Sequence, residues 1–150
     1  YLTIGAEAAR APGRYDKSLG VVKSWLSKRG REMPELVIEN GSGLSRRERI
    51  SAQSLGTMLV SAFHSTVMPE FVASMPLVAV DGTMRKRLKG EQVAGSAHIK
   101  TGSLADVRAI GGYVLDRKGQ RHAVVMMINH PNAYQAAAAM DELLRWVYGG

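Results

Sequence analysis

The chain has 150 residues, 20 Lys plus Arg against 13 Asp plus Glu, a net charge of +7 and no cysteine. Its length fits one domain with a sizeable core, and a hydrophobic content of 45% excludes a disordered tail. The missing cysteine excludes disulfides, thiolate metal sites and a cysteine nucleophile, and no apolar run reaches the ~18 residues of a membrane span. A basic balance suits a polyanionic partner, either nucleic acid or an anionic envelope polymer. The basic clusters at 28–31, 46–49 and 85–89 carry no interleaved aromatics, however, so no base-stacking nucleic-acid platform is expected. The scattered histidines have no ligand spacing, so neither a metal nor another cofactor is expected.

Tyr1-Leu2-Thr3-Ile4 is neither an initiator Met nor a signal peptide, an opening expected of a piece of something longer. Residues 2–10 read as the end of a helix that Ala11-Pro12-Gly13 breaks. Asp16 is the expected N-cap of a second helix to about Lys28, with an apolar stripe of Leu19, Val22 and Leu26 and with Gly30 at C′. Leu36-Val37-Ile38 reads as a short strand, and Asn40-Gly41-Ser42-Gly43 as a turn. Ser51 is the expected cap of a third helix, with Ile50 stapled onto Leu55 and one apolar face of Leu55, Met58, Leu59, Ala62 and Phe63.

A shorter helix is expected between Pro69 and Pro76, then a turn at Asp81-Gly82-Thr83 and a basic, solvated segment over 85–90 of one or two helical turns. Three strands follow, over 97–102, 107–116 and 120–130, with Asp116-Arg117-Lys118-Gly119 as the hairpin between the last two. The third is apolar on both faces in its middle, so helices must cover the sheet on both sides. One covering helix is expected over 132–148, opened by a capping box of Asn132 and Gln135, with a stripe of Ala136, Ala139, Met140, Leu143, Leu144 and Val147. The fold class expected is α+β, an antiparallel sheet with packed helices.

Lys100-Thr101-Gly102 ends the first of these strands. An ammonium supplies positive potential, a hydroxyl can donate to a carboxylate, and a glycine leaves room for a ligand along a strand edge. Lys-Thr-Gly is also a motif of penicillin-binding proteins and β-lactamases. Three collinear stretches resemble one family. Asn40-Gly41-Ser42-Gly43-Leu44-Ser45-Arg46 is similar to D-G-S-G-L-S-R of the class C low-molecular-mass penicillin-binding proteins, the D-alanyl-D-alanine carboxypeptidase/endopeptidases. The run from Met75-Pro76-Leu77 to Asp81-Gly82-Thr83-Met84 resembles their L-P-(V/L)-A-G-x-D-G-T-(L/M) segment. Ile99-Lys100-Thr101-Gly102-Ser103-Leu104, with Gly111-Gly112-Tyr113 beyond, resembles their K-T-G-(T/S)-L strand, turn and next strand. Asn40 stands where Asp is usual, and its amide oxygen can still accept from nearby backbone N–H groups.

The resemblance implies the C-terminal part of a serine β-lactamase-like transpeptidase domain, located in the periplasm or cell envelope. Its partners would be the peptidoglycan stem peptide ending in D-Ala-D-Ala and, in the intact enzyme, β-lactams. Lys100 would supply positive potential, Thr101 would bind the substrate carboxylate, Gly102 would leave room for the ligand, and the N–H of Ser103 would form half of an oxyanion hole. No serine here has Lys three residues on or Asn two residues on, so the family's S-x-x-K and S-x-N are expected upstream. The 150 residues alone are then expected to be inactive, and to self-associate through the sheet face around Lys100 or to need the upstream part. A non-enzymatic remnant that binds peptidoglycan peptides is the alternative. His98 reads as a rim or packing residue, Arg46 and Arg85 as structural, and Ser42 and Ser45 as turn residues with no neighbouring base.

Overall fold

Alternating apolar residues between 97 and 130 form three strands, β1 (Ala97–Ser103), β2 (Val107–Leu115) and β3 (Arg121–Asn129), in the computed structural model, which describes residues 1–150. They make one antiparallel sheet in the order β1-β2-β3, the arrangement that short connections favour. Five helices accompany it: α1 (Leu2–Ala9), α2 (Tyr15–Ser27), α3 (Ala52–Phe63), α4 (Met68–Ala73) and α5 (Ala137–Gly149). The chain divides into two units, Tyr1–Ser51 and Ala52–Gly150.

In the first unit, α1 and α2 cross where both carry a small residue. A Cβ on Gly5 would lie 2.5 Å from the Ser18 hydroxyl. Asp16 does not cap α2. The cap position falls on Arg14, and Asp16 sits inside the first turn with its carboxylate 3.0 Å from the Arg14 guanidinium. Gly30 ends the helix as expected, with φ +64° and a Schellman pair of bonds, Arg31 N–H to the Leu26 carbonyl and Gly30 N–H to that of Ser27. No strand forms over 36–38. Val37 makes only a bridge to Arg49, because three residues without a longer partner cannot extend a ladder. In the glycine turn Asn40 Oδ1 accepts from Ser42 N–H at 2.9 Å, the bond its amide was expected to keep.

The second unit buries both faces of its sheet. On one face Ile99, Ile110, Val114 and Val124 pack with Met140 and Leu144 of α5 and with Val78, Met84 and Val93. On the other, Tyr113 packs with Leu59 of α3, Val72 of α4 and Met75, and its hydroxyl donates to the Leu59 carbonyl at 2.5 Å. Each such large side chain taken out of water contributes about 1.5–3 kcal/mol.

Two local expectations in this unit also fail. The box of Asn132 and Gln135 is not made: a 3₁₀ turn over Ala133–Ala136 precedes α5, the Asn132 side chain makes no cap bond, and the Gln135 amide turns to the Tyr134 hydroxyl. The basic segment over 85–90 forms turns, not helix, and it is not wholly solvated. Arg87 lies half-buried with two bonds to Asp141 of α5, at 2.7 and 3.0 Å, and Arg145 of α5 returns the clasp to Glu91.

The β2–β3 hairpin turns on Asp116, whose buried carboxylate accepts from the N–H groups of Lys118 and Gln120 and lies 2.8 Å from His122 Nε2. The His122 hydrogen bond, then those backbone donors, hold this carboxyl below its ordinary value, while burial opposes them. The fold therefore favours the ionised form. Its contribution is in place above the usual carboxylate range near pH ~4 and is lost as pH falls through the lower folded value. Asp116→Asn should lower the melting temperature at neutral pH, and the gap to wild type should close as the melts are repeated into that acidic range. A gap that stayed constant with pH would mean the charge contributes nothing.

Two glycines of the paired strands separate packing from space. A Cβ on Gly112, at φ +157°, would lie 2.0 Å from the His98 carbonyl oxygen, whereas one on Gly102 would meet only the Ala109 methyl at 3.5 Å. Gly112→Ala should cost more than ~3 kcal/mol or abolish folding, while Gly102→Ala should melt within ~1 kcal/mol of wild type. Chemical denaturation of both variants checks the pair.

Candidate functional site

β1 is an edge strand, and only half of its outer edge is covered. Residues 76–78 run against its first half: Val78 N–H donates to the Ala97 carbonyl at 2.9 Å, and Ile99 N–H donates to the Pro76 carbonyl at 2.8 Å. Leu77 forms a bridge with His98, whose Nδ1 lies 3.2 Å from the Met75 carbonyl. His98 thus ties the strand to this segment, the packing role expected of it.

Beyond Ile99 the covering segment turns away. Backbone groups alternate along a strand, so Thr101 and Ser103 turn their N–H groups to the same outer edge as Ile99. The other side agrees, since Leu104 N–H points inward to the Val107 carbonyl at 3.0 Å. The open edge therefore coincides with the four residues singled out from the sequence. Lys100 is exposed, and its ammonium donates to the Thr101 carbonyl at 2.7 Å. Thr101 is half-buried, with its hydroxyl 2.9 Å from that of Thr83. Gly102 and Ser103 are exposed. A strand edge carrying donors, a cation and a hydroxyl, with no side chain at its third position, suits an extended ligand with an anionic end.

Thr83 was legible as part of a turn and of the D-G-T segment, but not as a partner of Thr101. Its hydroxyl meets Thr101 across 18 residues of sequence, a separation with no periodicity to betray it. Arg85 is exposed, and its backbone N–H continues that turn to the Gly82 carbonyl.

In the first unit, Ser42 and Ser45 are turn residues, accepting from the N–H groups of Leu44 and Arg47. Ser45 nevertheless has a carboxylate beside it, contrary to expectation: its hydroxyl donates to Glu39, which Arg47 also holds at 3.2 Å. The Arg46 carbonyl accepts from Arg49. The structure contains no cluster of His, Asp and Glu able to hold a metal ion. No helix is long and apolar enough to cross a membrane.

The model of the D-Ala-D-Ala carboxypeptidase 3 (S13) family matches residues 1–147. The chain belongs to this family. It is 32% identical over 147 residues to a D-alanyl-D-alanine carboxypeptidase of an Actinomadura species, covering 95% of this chain and 27% of that protein. A Haemophilus influenzae D-alanyl-D-alanine carboxypeptidase is 27% identical, over 80% of this chain and 26% of the relative. The chain thus spans roughly a quarter of each of these relatives.

Solved structures share this fold. Penicillin-binding protein 4 of H. influenzae, complexed with a β-lactam, superposes with a TM-score of 0.85 at 22% identity, over 98% of this chain and 36% of that one. A predatory endopeptidase of Bdellovibrio bacteriovorus acylated by penicillin G gives 0.65 at 19% identity, over 85% and 37%.

Proposed function

We propose that these residues supply the ligand-binding strand of a serine-type D-alanyl-D-alanine carboxypeptidase/endopeptidase that acts on peptidoglycan in the cell envelope and is acylated by β-lactams. The observation that carries the reading is the half-open edge of β1: pairing stops at Ile99, and the edge beyond it bears Lys100, Thr101, Gly102 and Ser103. Membership of the S13 family supports the substrate class.

In this reading the stem peptide lies along the open edge. Its terminal carboxylate meets the Thr101 hydroxyl, within the positive potential of Lys100. The nucleophilic serine belongs to a Ser-x-x-Lys motif, which none of these 150 residues forms. Its oxygen attacks the penultimate D-Ala carbonyl, and the oxyanion that develops accepts from the Ser103 N–H and the nucleophile's own N–H. The C–N bond breaks, the serine's proton reaches the leaving amine, and the terminal D-Ala departs. Water then cleaves the ester, releasing the shortened peptide and restoring the hydroxyl. A β-lactam forms the same ester by ring opening, with no leaving group to depart.

Lys100 is exposed, so its removal takes away charge without opening the core. In the full-length protein Lys100→Ala should slow acylation by a labelled penicillin by about a hundredfold or more, with a melt close to wild type. An unchanged second-order rate would remove Lys100 from the mechanism, and a collapsed melt would make its role structural.

A further inference from the structure

Thr83 stands on a turn that is held in place without it. Leu77 N–H donates to Asp81 Oδ1 at 2.7 Å, and Ala79 N–H donates to the Met84 carbonyl at 3.1 Å. Met84 is fully buried in the core below. Gly82, at φ +50°, lies so close to Pro76 that a Cβ there would meet the proline ring at 2.8 Å. The same segment is bonded to β1 through Pro76 and Val78. The frame thus fixes where the Thr83 side chain begins, and that side chain adds one bond, 2.9 Å to the Thr101 hydroxyl. Both groups are near solvent, where a hydroxyl pair contributes little to folding.

The chemistry of the pair explains its placement. A hydroxyl has one proton to donate and two lone pairs to accept with. With no ligand the two hydroxyls share one hydrogen bond, whose proton either threonine can supply. When a carboxylate arrives at the β1 edge, Thr101 must turn its proton outward, and Thr83 can then donate to the Thr101 oxygen. Each bond in such a chain polarises the next.

We propose that Thr83 is a positioning residue for Thr101, holding its hydroxyl in the rotamer that meets an anionic ligand end and supplying the proton that lets it donate. The inference rests on the reading of Thr101 given above and extends it to a residue in a different segment. Thr83 touches no substrate. Its effect is specificity for ligands ending in a carboxylate.

The test uses the full-length protein and two thioester acyl donors that wild type turns over, one with a carboxylate on its leaving group and one with that carboxylate esterified. Thr83→Val should lower kcat/KM for the carboxylate donor about tenfold, mainly through KM, and leave the esterified donor within about twofold. Thr83→Ala should repeat the pattern without the branched side chain, and Thr83→Ser should restore wild-type discrimination. Thr101→Val, measured alongside, should lose at least as much on the carboxylate donor. Loss in Thr101→Val without loss in the Thr83 variants overturns this inference and leaves the function standing. No loss in Thr101→Val overturns the reading of Thr101, and the role of Thr83 with it. Equal losses on both donors would make Thr83 merely structural.

Discussion

The bond from Ile99 N–H to the Pro76 carbonyl, 2.8 Å long, is the last backbone–backbone bond along the outer edge of β1. An edge strand with unpaired donors and acceptors recruits other strands, and folded proteins cover or blunt such edges. Here residues 76–78 cover one half, and the other half is left to Lys100, Thr101, Gly102 and Ser103. The covering segment does more than protect. It continues into the Asp81-Gly82-Thr83 turn, whose carboxylate and glycine fold it back so that Thr83 reaches Thr101. One stretch of chain thus determines where the open edge begins and which polar group lies against it.

That edge is useful only if it is rigid, and its rigidity comes from the two layers over the sheet. Apolar side chains on both faces of β2 and β3 are taken up by α5 on one side and by α3 and α4 on the other. Gly112 brings the β2 backbone against the carbonyl of His98, a contact no side chain would allow. Tyr113 then bonds across to Leu59 of α3. At Gly102, by contrast, the chain's own packing tolerates a methyl group. In the proposed function, that open position leaves room for a ligand laid along the strand.

The strands were legible because alternation over 97–130 and the hairpin at Asp116-Arg117-Lys118-Gly119 are signals carried by consecutive residues. The doubly apolar middle of β3 also announced helices on both faces. Features that depend on competition between neighbours were less legible. Asp16 was a plausible cap, but the helix begins earlier, where Arg14 holds its carboxylate. Asn132 and Gln135 have the spacing of a capping box, yet a 3₁₀ turn takes those residues. The run at 36–38 looked like a strand but lacks a partner beyond one bridge to Arg49. Within the site, Lys100, Thr101, Gly102 and Ser103 could be named from their motif, and the structure adds which edge they share. Thr83 had no sequence signal as a partner of Thr101, nor did Glu39 as a partner of Ser45, because only the folded chain brings them together.

In the proposed function an acyl ligand pairs with the outer edge of β1 through Ser103. Residue-resolved amide hydrogen exchange on the full-length protein, with and without penicillin, tests it most directly. The Ser103 N–H should exchange readily in the free protein and become protected on acylation, while the inward-facing N–H groups of Lys100 and Gly102 should be protected in both states. A Ser103 N–H whose exchange is unchanged by a bound acyl group would contradict it.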